Sequence, residues 1–241
     1  MPLLNGLEAT FKATGFASVA GNKGAVMISF KIFKTSYCFL NCHLAAGPSQ
    51  SKMDIRRQNA FEILRSIRPM VPTIEMPSAF DYFFWMGDFN FRVDRVFTEV
   101  MDVIKDVRKA ITDYINNPNM NSAKKSDAAA TLAELKARSY KTILDKDQLK
   151  IEFKNNTCFT QLTEDEIRFP PTYRRERGGN EEYSNKKNQS PSYTDRIIYC
   201  KKPHLKMKPI EYTSLEEQFG SDHRPVVALY DTQIIAPLNM W

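Results

Sequence analysis

Residues 80–90 of the chain read FDYFFWMGDFN, and this stretch decides the fold. Seven nearly all apolar residues come first, which is typical of a short strand buried on both faces. Side chains alternate along an extended segment, so Asp88 and Asn90 are predicted to point to one side and Phe89 into the core. A carboxylate and an amide side by side can then face one phosphate.

Residues 87–90 can be interpreted either as part of a catalytic site or as an ordinary turn. The carboxylate of Asp88 can orient or deprotonate a water, and the amide of Asn90 can donate to a phosphoryl oxygen without adding negative charge. Gly, Asp and Asn are also turn formers, so an ordinary turn after a strand is the alternative. The tetrapeptide alone does not decide between them.

Hydrophobic periodicity predicts a layered α/β sandwich of strands with interspersed helices. A polar connection at 33–36 indicates that the first two strands form a hairpin. Residues 116–138 add no core signal and are predicted to be a surface insert in a single domain, 1–241. Besides the strand at 80–86, the predicted elements are strands at 25–32, 37–44, 197–200 and 225–230 and helices at 53–67, 100–114 and 128–138.

Composition bounds the class of protein. Of the 241 residues, 42% are hydrophobic and 12% aromatic, which suits one folded globular domain and not a disordered chain. Lys and Arg outnumber Asp and Glu by 34 to 28, giving a net charge of +6 and a pI near 9.0. This mild excess fits either a plain basic protein or a positive face that meets phosphates, nucleic acid or acidic lipid.

The cysteines and the apolar runs indicate a compartment. None of the four cysteines forms a CxxC pair or a metal-finger spacing, so they are predicted to be buried thiols in a reducing compartment. No apolar run reaches the ~18 residues of a membrane span. Residues 1–6 lack the basic start and long apolar core of a signal peptide. The expected location is the cytoplasm, including the surface of a membrane.

Further acids and histidines lie beside predicted strands. His43 ends an apolar run, Asp195 precedes one, and His223 follows Asp222 shortly before another. Asp195 can hold a histidine in its useful tautomer, and adjacent Asp222 and His223 are predicted to face opposite ways and do different jobs. The plain alternatives are satisfied structural histidines and an ordinary Asp–Arg surface pair.

A basic loop is the last candidate. Residues 170–179 join two prolines to Tyr173, Arg174 and two further arginines, and Lys186 and Lys187 follow shortly after. Arginine can grip a phosphate through two parallel hydrogen bonds. A solvated basic loop is the alternative.

The order of the motifs is more specific than any one of them. The series closely resembles the catalytic domain of the inositol polyphosphate 5-phosphatases over about residues 15–230 outside the insert. GDFN and SDH alone would fit the wider family of DNase I-like nucleases and phosphatases. In succession the chain carries GNKGAV at 21–26, NCHL at 41–44, WMGDFNFR at 85–92, FPPTY at 169–173, PSYTDRI at 191–197 and SDHRP at 221–225.

The resemblance implies a four-layer, DNase I-like α+β sandwich with Mg²⁺ as cofactor. It implies hydrolysis of the 5-phosphate of phosphoinositides, such as phosphatidylinositol 4,5-bisphosphate, or of soluble inositol polyphosphates. Asp88 is similar to the group that activates the attacking water, and Asn90 to the one that binds the phosphoryl oxygens. His223 resembles the phosphate-facing histidine, oriented by Asp195. His43 resembles the second histidine at the scissile phosphate.

Metal- and substrate-binding residues follow from the same resemblance. Asp222 resembles an acid near the metal or a supporting ligand. The substrate-binding residues that the resemblance implies are Tyr173 and Arg174 with Lys186 or Lys187 for the inositol 4-phosphate, and Asn22 and Lys23 for the phosphate that leads to the lipid.

One departure from the family pattern concerns the start of the chain. Family members begin with strands that carry an Asn and, further on, a Glu that holds the magnesium, and no such strand is predicted before Gly21. Glu8 lies too close to the GNKGAV segment and lacks the family context. The expectation is an N-terminally incomplete sandwich that lacks its main metal ligand and leaves a sheet edge unpaired.

Three functions remain open. The first is a magnesium-dependent 5-phosphatase that meets a phosphoinositide or soluble inositol phosphate. The second is a catalytically impaired relative that binds phosphoinositide membranes or a protein partner; the missing Glu favours it, and the retained Asp88 and His223 oppose it. The third is a superfamily nuclease, against which the segments 169–174 and 191–197 and the mild basic excess argue, so no nucleic-acid partner is expected.

Overall fold

The computed structural model describes residues 3–14, 22–67, 76–116, 125–178, 182–186 and 189–236. The strands are β1 Leu4–Ala13, β2 Gly24–Ile32, β3 Thr35–His43, β4 Tyr82–Asp88, β5 Asp195–Lys201, β6 Met207–Ser214 and β7 Val226–Thr232. The helices are α1 Gln50–Ser66, α2 Phe97–Ile115, α3 Lys125–Leu144 and α4 Gln148–Lys154. β1 to β5 form one sheet in that order, and β6 pairs with β7 in a separate hairpin.

The five-stranded sheet is antiparallel except at its centre. β3 and β4 run parallel, and α1 supplies the crossover that a parallel pair needs. Their carboxyl ends therefore lie at the same edge of the sheet, and the antiparallel β5 begins beside them. The polar residues at these three strand ends therefore lie next to one another.

Apolar residues pack on both faces of β4. Trp85, which is fully buried, packs on one face in a cluster with Phe159 and residues of α1. On the other face, the buried rings of Tyr82 and Phe84 pack under the β6–β7 hairpin, with the Tyr230 and Phe84 centroids 5.3 Å apart. This double cover explains why β4 is apolar at nearly every position.

α2 and α3 form a second core beside the sheet. Val100, Ile104 and Val107 of α2 share a buried cluster with Tyr140 and Ile143 of α3. Among the described residues, no helix combines the length and the apolar character that crossing a bilayer requires.

Most predicted elements are present with small shifts at their ends. The hairpin turn is shorter than predicted, because Phe33 adopts a left-handed φ of 53° and β3 begins at Thr35. The helix predicted at 128–138 belongs to the longer α3. The insert at 116–138 stays a prediction, and 117–124 lie outside the described residues.

Two strands were not predicted. β1 precedes Gly21 and pairs with β2, where no strand was predicted. Its residues Leu4 and Phe11 are 53% and 76% exposed, and a register shift between Asn5 and Glu8 interrupts the alternation. β6 is largely exposed and contains a proline, which weakens a strand signal.

Candidate functional site

Three polar side chains end neighbouring strands on one line. His43 of β3 is opposite Asp88 of β4, and Asp88 is opposite Asp195 of β5. Neighbouring strands lie about 4.8 Å apart, so side chains at adjacent ends reach one another. Nε2 of His43 is 3.2 Å from Oδ2 of Asp88. We call these three residues the strand-end row.

His223 joins the strand-end row from a loop outside the sheet. Its Nδ1 lies 2.9 Å from Oδ2 and 3.1 Å from Oδ1 of Asp195. Asp195 also accepts hydrogen bonds from the hydroxyls of Thr172, at 2.7 Å, and Thr194, at 3.0 Å. The structure thus brings Asp195 and His223 into the predicted contact, while their catalytic roles stay predictions.

The charges around His223 favour its protonated form. Burial of the ring lowers its pKa, but the hydrogen bond and charge of Asp195, with the charges of Asp88 and Asp222, outweigh burial and raise the pKa above its ordinary value. An imidazolium held by a carboxylate suits a neighbouring phosphate.

Asp88, Asp195 and His223 can approach one metal ion together. One ligand atom of each lies within 4.8 Å of the others. Mg²⁺ prefers oxygen, and commonly takes one or two carboxylates and completes its shell with water and substrate phosphate. Asp195 is already held by His223 and two hydroxyls, so Asp88 has the most capacity left. The donors present fit a magnesium ion.

Asn90 does not extend the strand as predicted. β4 ends at Asp88, and Asn90 has a φ of 57°, so the alternation of an extended segment stops there. Its backbone N–H donates to Oδ1 of Asp88 at 2.9 Å, as in an Asx turn. Its side chain is buried, and Nδ2 donates to the carbonyl of Leu44 at 3.1 Å.

Asp222 faces two arginines, and its predicted role as an acid near the metal or a supporting ligand stays a prediction. Its Oδ2 is 3.3 Å from Nε of Arg174, and its Oδ1 is 2.9 Å from Nη2 of Arg177. Among the described residues it does not join the group of Asp88, Asp195 and His223. Asp222 and His223 do face different partners, since Asp222 contacts two arginines and His223 contacts Asp195.

The predicted substrate-binding residues lie on two sides of the strand-end row. On one side, Nζ of Lys23 is 3.0 Å from Nε2 of His43, and both residues line a groove of about 450 Å³ with the exposed Asn22. On the other side, the rings of Tyr173 and His223 lie 4.5 Å apart between centroids.

Of the two lysines predicted to act with Arg174, the structure describes only Lys186, which pairs with an acidic residue. Nζ of Lys186 is 3.2 Å from Oε2 of Glu176, and the lysine side chain is 71% exposed. Lys187 lies outside the described residues.

Three polar residues of this region were not predicted, and Arg177 was predicted only as part of the basic loop. Thr172 and Thr194 bind Asp195, Arg177 binds Asp222, and Arg92 binds the side chain of Asn90. Thr172, Thr194 and Arg92 lie within motifs that already point to the site, so the motifs themselves were the available signal. Which motif residues serve others and which face a substrate is visible only in the contacts.

The comparisons with known proteins agree with this geometry. Residues 2–134 and 124–229 match the model of the endonuclease/exonuclease/phosphatase family 2. The chain is 31% identical over 231 residues to phosphatidylinositol 3,4,5-trisphosphate 5-phosphatase 2A of Danio rerio, covering 92% of this chain and 16% of that protein. It is 33% identical over 228 residues to polyphosphatidylinositol phosphatase INP53 of Saccharomyces cerevisiae, covering 95% and 17%. The chain thus spans only a small part of these relatives.

Solved structures share the fold. The inositol polyphosphate 5-phosphatase domain of Spsynaptojanin, in complex with inositol (1,4)-bisphosphate and calcium, matches with a TM-score of 0.71 and 28% identity over 97% of this chain and 57% of that one. A Cimex nitrophorin matches with a TM-score of 0.65 and 20% identity over 95% and 65%, which is a likeness of fold alone. These matches confirm the resemblance and the α+β, DNase I-like fold.

Proposed function

The chain belongs to the endonuclease/exonuclease/phosphatase family 2, and from this membership we propose that it hydrolyses the 5-phosphate of phosphoinositides, such as phosphatidylinositol 4,5-bisphosphate, and of soluble inositol polyphosphates. The observation that carries the proposal is the strand-end row with His223 bound to Asp195. The ligand of the Spsynaptojanin domain, inositol (1,4)-bisphosphate, supports the 5-position. It is what remains when inositol 1,4,5-trisphosphate loses its 5-phosphate.

Asp88 is the proposed acceptor of the proton from the attacking water. Its Oδ1 accepts the N–H of Asn90 and its Oδ2 lies near His43, so the carboxylate is held in one orientation. Fixed geometry of this kind matters more than the strength of the base, because attack in line with the leaving oxygen needs the water in one place.

His223 is proposed to meet the phosphate through Nε2. Asp195 occupies Nδ1, which leaves the other ring nitrogen for a phosphoryl oxygen. The raised pKa of His223 keeps a proton available there. Lys23, whose Nζ lies 3.0 Å from Nε2 of His43, adds positive charge on the other side of Asp88.

A magnesium ion would be held by Asp88, with Asp195 within reach, and would neutralise charge on the phosphate. The identity of this metal as magnesium is part of the proposal. The side chains of the site bind the phosphate, orient the attacking water and transfer its proton.

Selectivity for the 5-position is proposed to come from the neighbouring phosphates. Arg174, Tyr173 and the lysines Lys186 and Lys187 would grip a 4-phosphate. Lys23 and Asn22, in the groove beside His43, would bind the phosphate that leads to the lipid. Anchoring on both sides leaves one ester facing Asp88.

The proposed place of action is the cytoplasm, at the surface of an anionic membrane. The net charge of +6 and the basic residues on both sides of the strand-end row support attraction to such a surface.

The test is magnesium-dependent phosphate release from vesicles that carry phosphatidylinositol 4,5-bisphosphate and from soluble inositol 1,4,5-trisphosphate. Asp88→Asn and His223→Gln should each lower kcat by about 10²–10⁴-fold, because each removes a proton acceptor or donor. Asp113→Asn is the matched control, since Asp113 lies in an exposed pair with Lys109 on α2.

Either of two results would contradict the proposal. Release that both site variants leave unchanged would mean that another group does the chemistry. A folded parent chain that binds these vesicles without releasing phosphate would indicate the catalytically impaired relative instead.

A further inference from the structure

We propose that Arg92 is a positioning residue that sets the orientation of the Asn90 amide. The inference rests on the proposed phosphate hydrolysis and extends it to a residue that does not touch the substrate. Arg92 follows the GDFN segment by two residues and is 5% exposed. A buried guanidinium is costly unless its donors are used, so its partners show what it does.

Arg92 directs two of its donors at Asn90. Nη2 donates to the side-chain Oδ1 of Asn90 at 2.6 Å, and Nε donates to the backbone carbonyl of the same residue at 3.1 Å. A third donor, Nη1, reaches Oε1 of Gln189 at 3.3 Å. The planar fork thus grips both the backbone and the side chain of one residue, which itself adopts a φ of 57°.

This grip decides which end of the Asn90 amide is free. A guanidinium can only donate, so the amide atom facing Arg92 is the oxygen. The nitrogen then lies beside the carbonyl of Leu44, to which it donates at 3.1 Å, and it keeps a second N–H. With its oxygen occupied, the Asn90 side chain can approach a phosphate only as a donor. A flipped amide would present its oxygen to the phosphate and repel it.

The guanidinium is held in place by an aromatic ring. Cζ of Arg92 lies 4.6 Å from the centroid of Tyr173, a favourable distance for a cation over an aromatic face. The same ring lies 4.5 Å from that of His223. Tyr173 therefore contacts both Arg92 and the histidine that is proposed to face the phosphate. This ring links the segment after GDFN to the loop that carries His223.

Arg92→Lys tests the inference. Lysine keeps a cation beside Tyr173 but has no planar fork to hold both oxygens of Asn90. We expect kcat on soluble inositol 1,4,5-trisphosphate to fall by about tenfold or more while KM changes less than about twofold, because the contact acts on the transition state. Arg95→Lys is the control, since Arg95 lies in a partly exposed pair with Glu99.

A double-mutant cycle separates positioning from general support of the fold. In an Asn90→Ala background no amide remains to be oriented, so Arg92→Lys should lower kcat by less than about twofold. A full tenfold loss in that background would overturn the inference, as would a parent-like kcat in Arg92→Lys alone. A merely structural role would lower the unfolding midpoint and leave kcat per folded molecule unchanged.

A second measurement does not depend on activity. The side-chain NH₂ signals of Asn90, identified by their loss in Asn90→Asp, should shift in Arg92→Lys and stay in place in Arg95→Lys. Unchanged signals in Arg92→Lys would contradict the inference. If the parent chain releases no phosphate, the proposed function fails while these signals still decide whether Arg92 orients Asn90.

Discussion

At the scale of single residues, the strand-end row depends on a glycine. Gly87 precedes Asp88 with a φ of 123°, and a Cβ there would lie 2.1 Å from the carbonyl oxygen of Cys42 and 2.5 Å from Oδ1 of Asn41. β3 and β4 therefore approach this closely beside the site only because Gly87 has no side chain.

We expect Gly87→Ala to lower the free energy of unfolding by roughly 2–4 kcal/mol, because it adds a backbone clash to an unfavourable φ. The measurement is urea denaturation. Gly220→Ala is the control, since nothing lies within 4 Å of a Cβ at that position. Equal losses in the two variants would show that the close approach at Gly87 does not matter.

The sequence predicted which residues gather at the site better than it predicted their directions. Asp88 lies at the end of β4, two residues beyond the predicted strand at 80–86, and the nearly all apolar run is what located this strand. Asn90 could not be placed, since one left-handed residue ends the alternation and asparagine tolerates that conformation. For Asp222 the resemblance implies an acid near the metal or a supporting ligand, which stays a prediction, and only the contacts show Arg174 and Arg177 beside it.

At the scale of elements, one hydroxyl fastens the β6–β7 hairpin to the sheet. The Tyr82 hydroxyl lies 2.6 Å from the carbonyl oxygen of Lys206 and 2.9 Å from that of Gln233, and it accepts the N–H of Gln233 at 3.0 Å. The ring itself is fully buried in β4. The two ends of the hairpin are thus held by one side chain of β4.

We expect Tyr82→Phe to cost about 1–3 kcal/mol, because it leaves backbone groups of the hairpin without their partner. Tyr193→Phe is the matched control: its hydroxyl is buried and has no hydrogen-bond partner among the described residues, so its removal should be neutral or stabilising. Thermal unfolding of the two variants gives the comparison. A Tyr193→Phe loss as large as that of Tyr82→Phe would contradict this account.

A buried ion cluster ties β5 to the region around α4. Nε of Arg196 is 2.6 Å from Oε1 of Glu164, Nη1 is 2.8 Å from Oδ1 of Asp147, and Lys150 is 2.7 Å from Glu164. Burial raises the pKa of Glu164, but Arg196 and Lys150 outweigh it and lower that pKa to about 2. For Asp147, burial prevails and raises the pKa.

These shifts predict a pH dependence. Because the folded-state pKa of Glu164 lies below its ordinary value of 4.5, its stabilisation is full above that value and is lost as the pH falls towards about 2. We expect Glu164→Gln to cost roughly 3–5 kcal/mol at pH 7 and progressively less as the pH falls below 4.5. Urea denaturation across this range measures it, with Glu99→Gln in a partly exposed pair as control. A difference that stays constant with pH would contradict it.

Strands with a clear apolar pattern were predictable, and the irregular β1 was not. Apolar runs in the sequence indicate β4 and β5. β1 has a register shift at its start and leaves Phe11 exposed, so no regular pattern marks it. Only pairing with β2 makes it a strand, and pairing is a tertiary contact that local sequence does not encode.

At the scale of the whole molecule, the sheet is unevenly covered. The β6–β7 hairpin covers the aromatic residues of β3 and β4. On the β1–β2 side, Phe11, Val26 and Ile28 share one face, as the register shows, and are 76%, 55% and 48% exposed. An apolar patch of this kind promotes association.

We expect Phe11→Ser to lower the fluorescence of a bound apolar dye and to raise the concentration at which the chain stays dispersed. The free energy of unfolding should change by less than about 0.5 kcal/mol, because the side chain is mostly exposed. Lys12→Ser, on the same strand, controls for the change of residue. Equal dye binding in the parent chain and Phe11→Ser would contradict the prediction.

The strand-end row also has a consequence for how activity arises in time. Its members come from β3, β4 and the much later β5, and the histidine that completes it follows β6. Pairings between distant parts of a chain form slowly, because loop closure must precede their gain. During refolding, the proposed hydrolysis would therefore return only with the last long-range pairing, after helical signals have already recovered. The reaction itself would report that the sheet is complete.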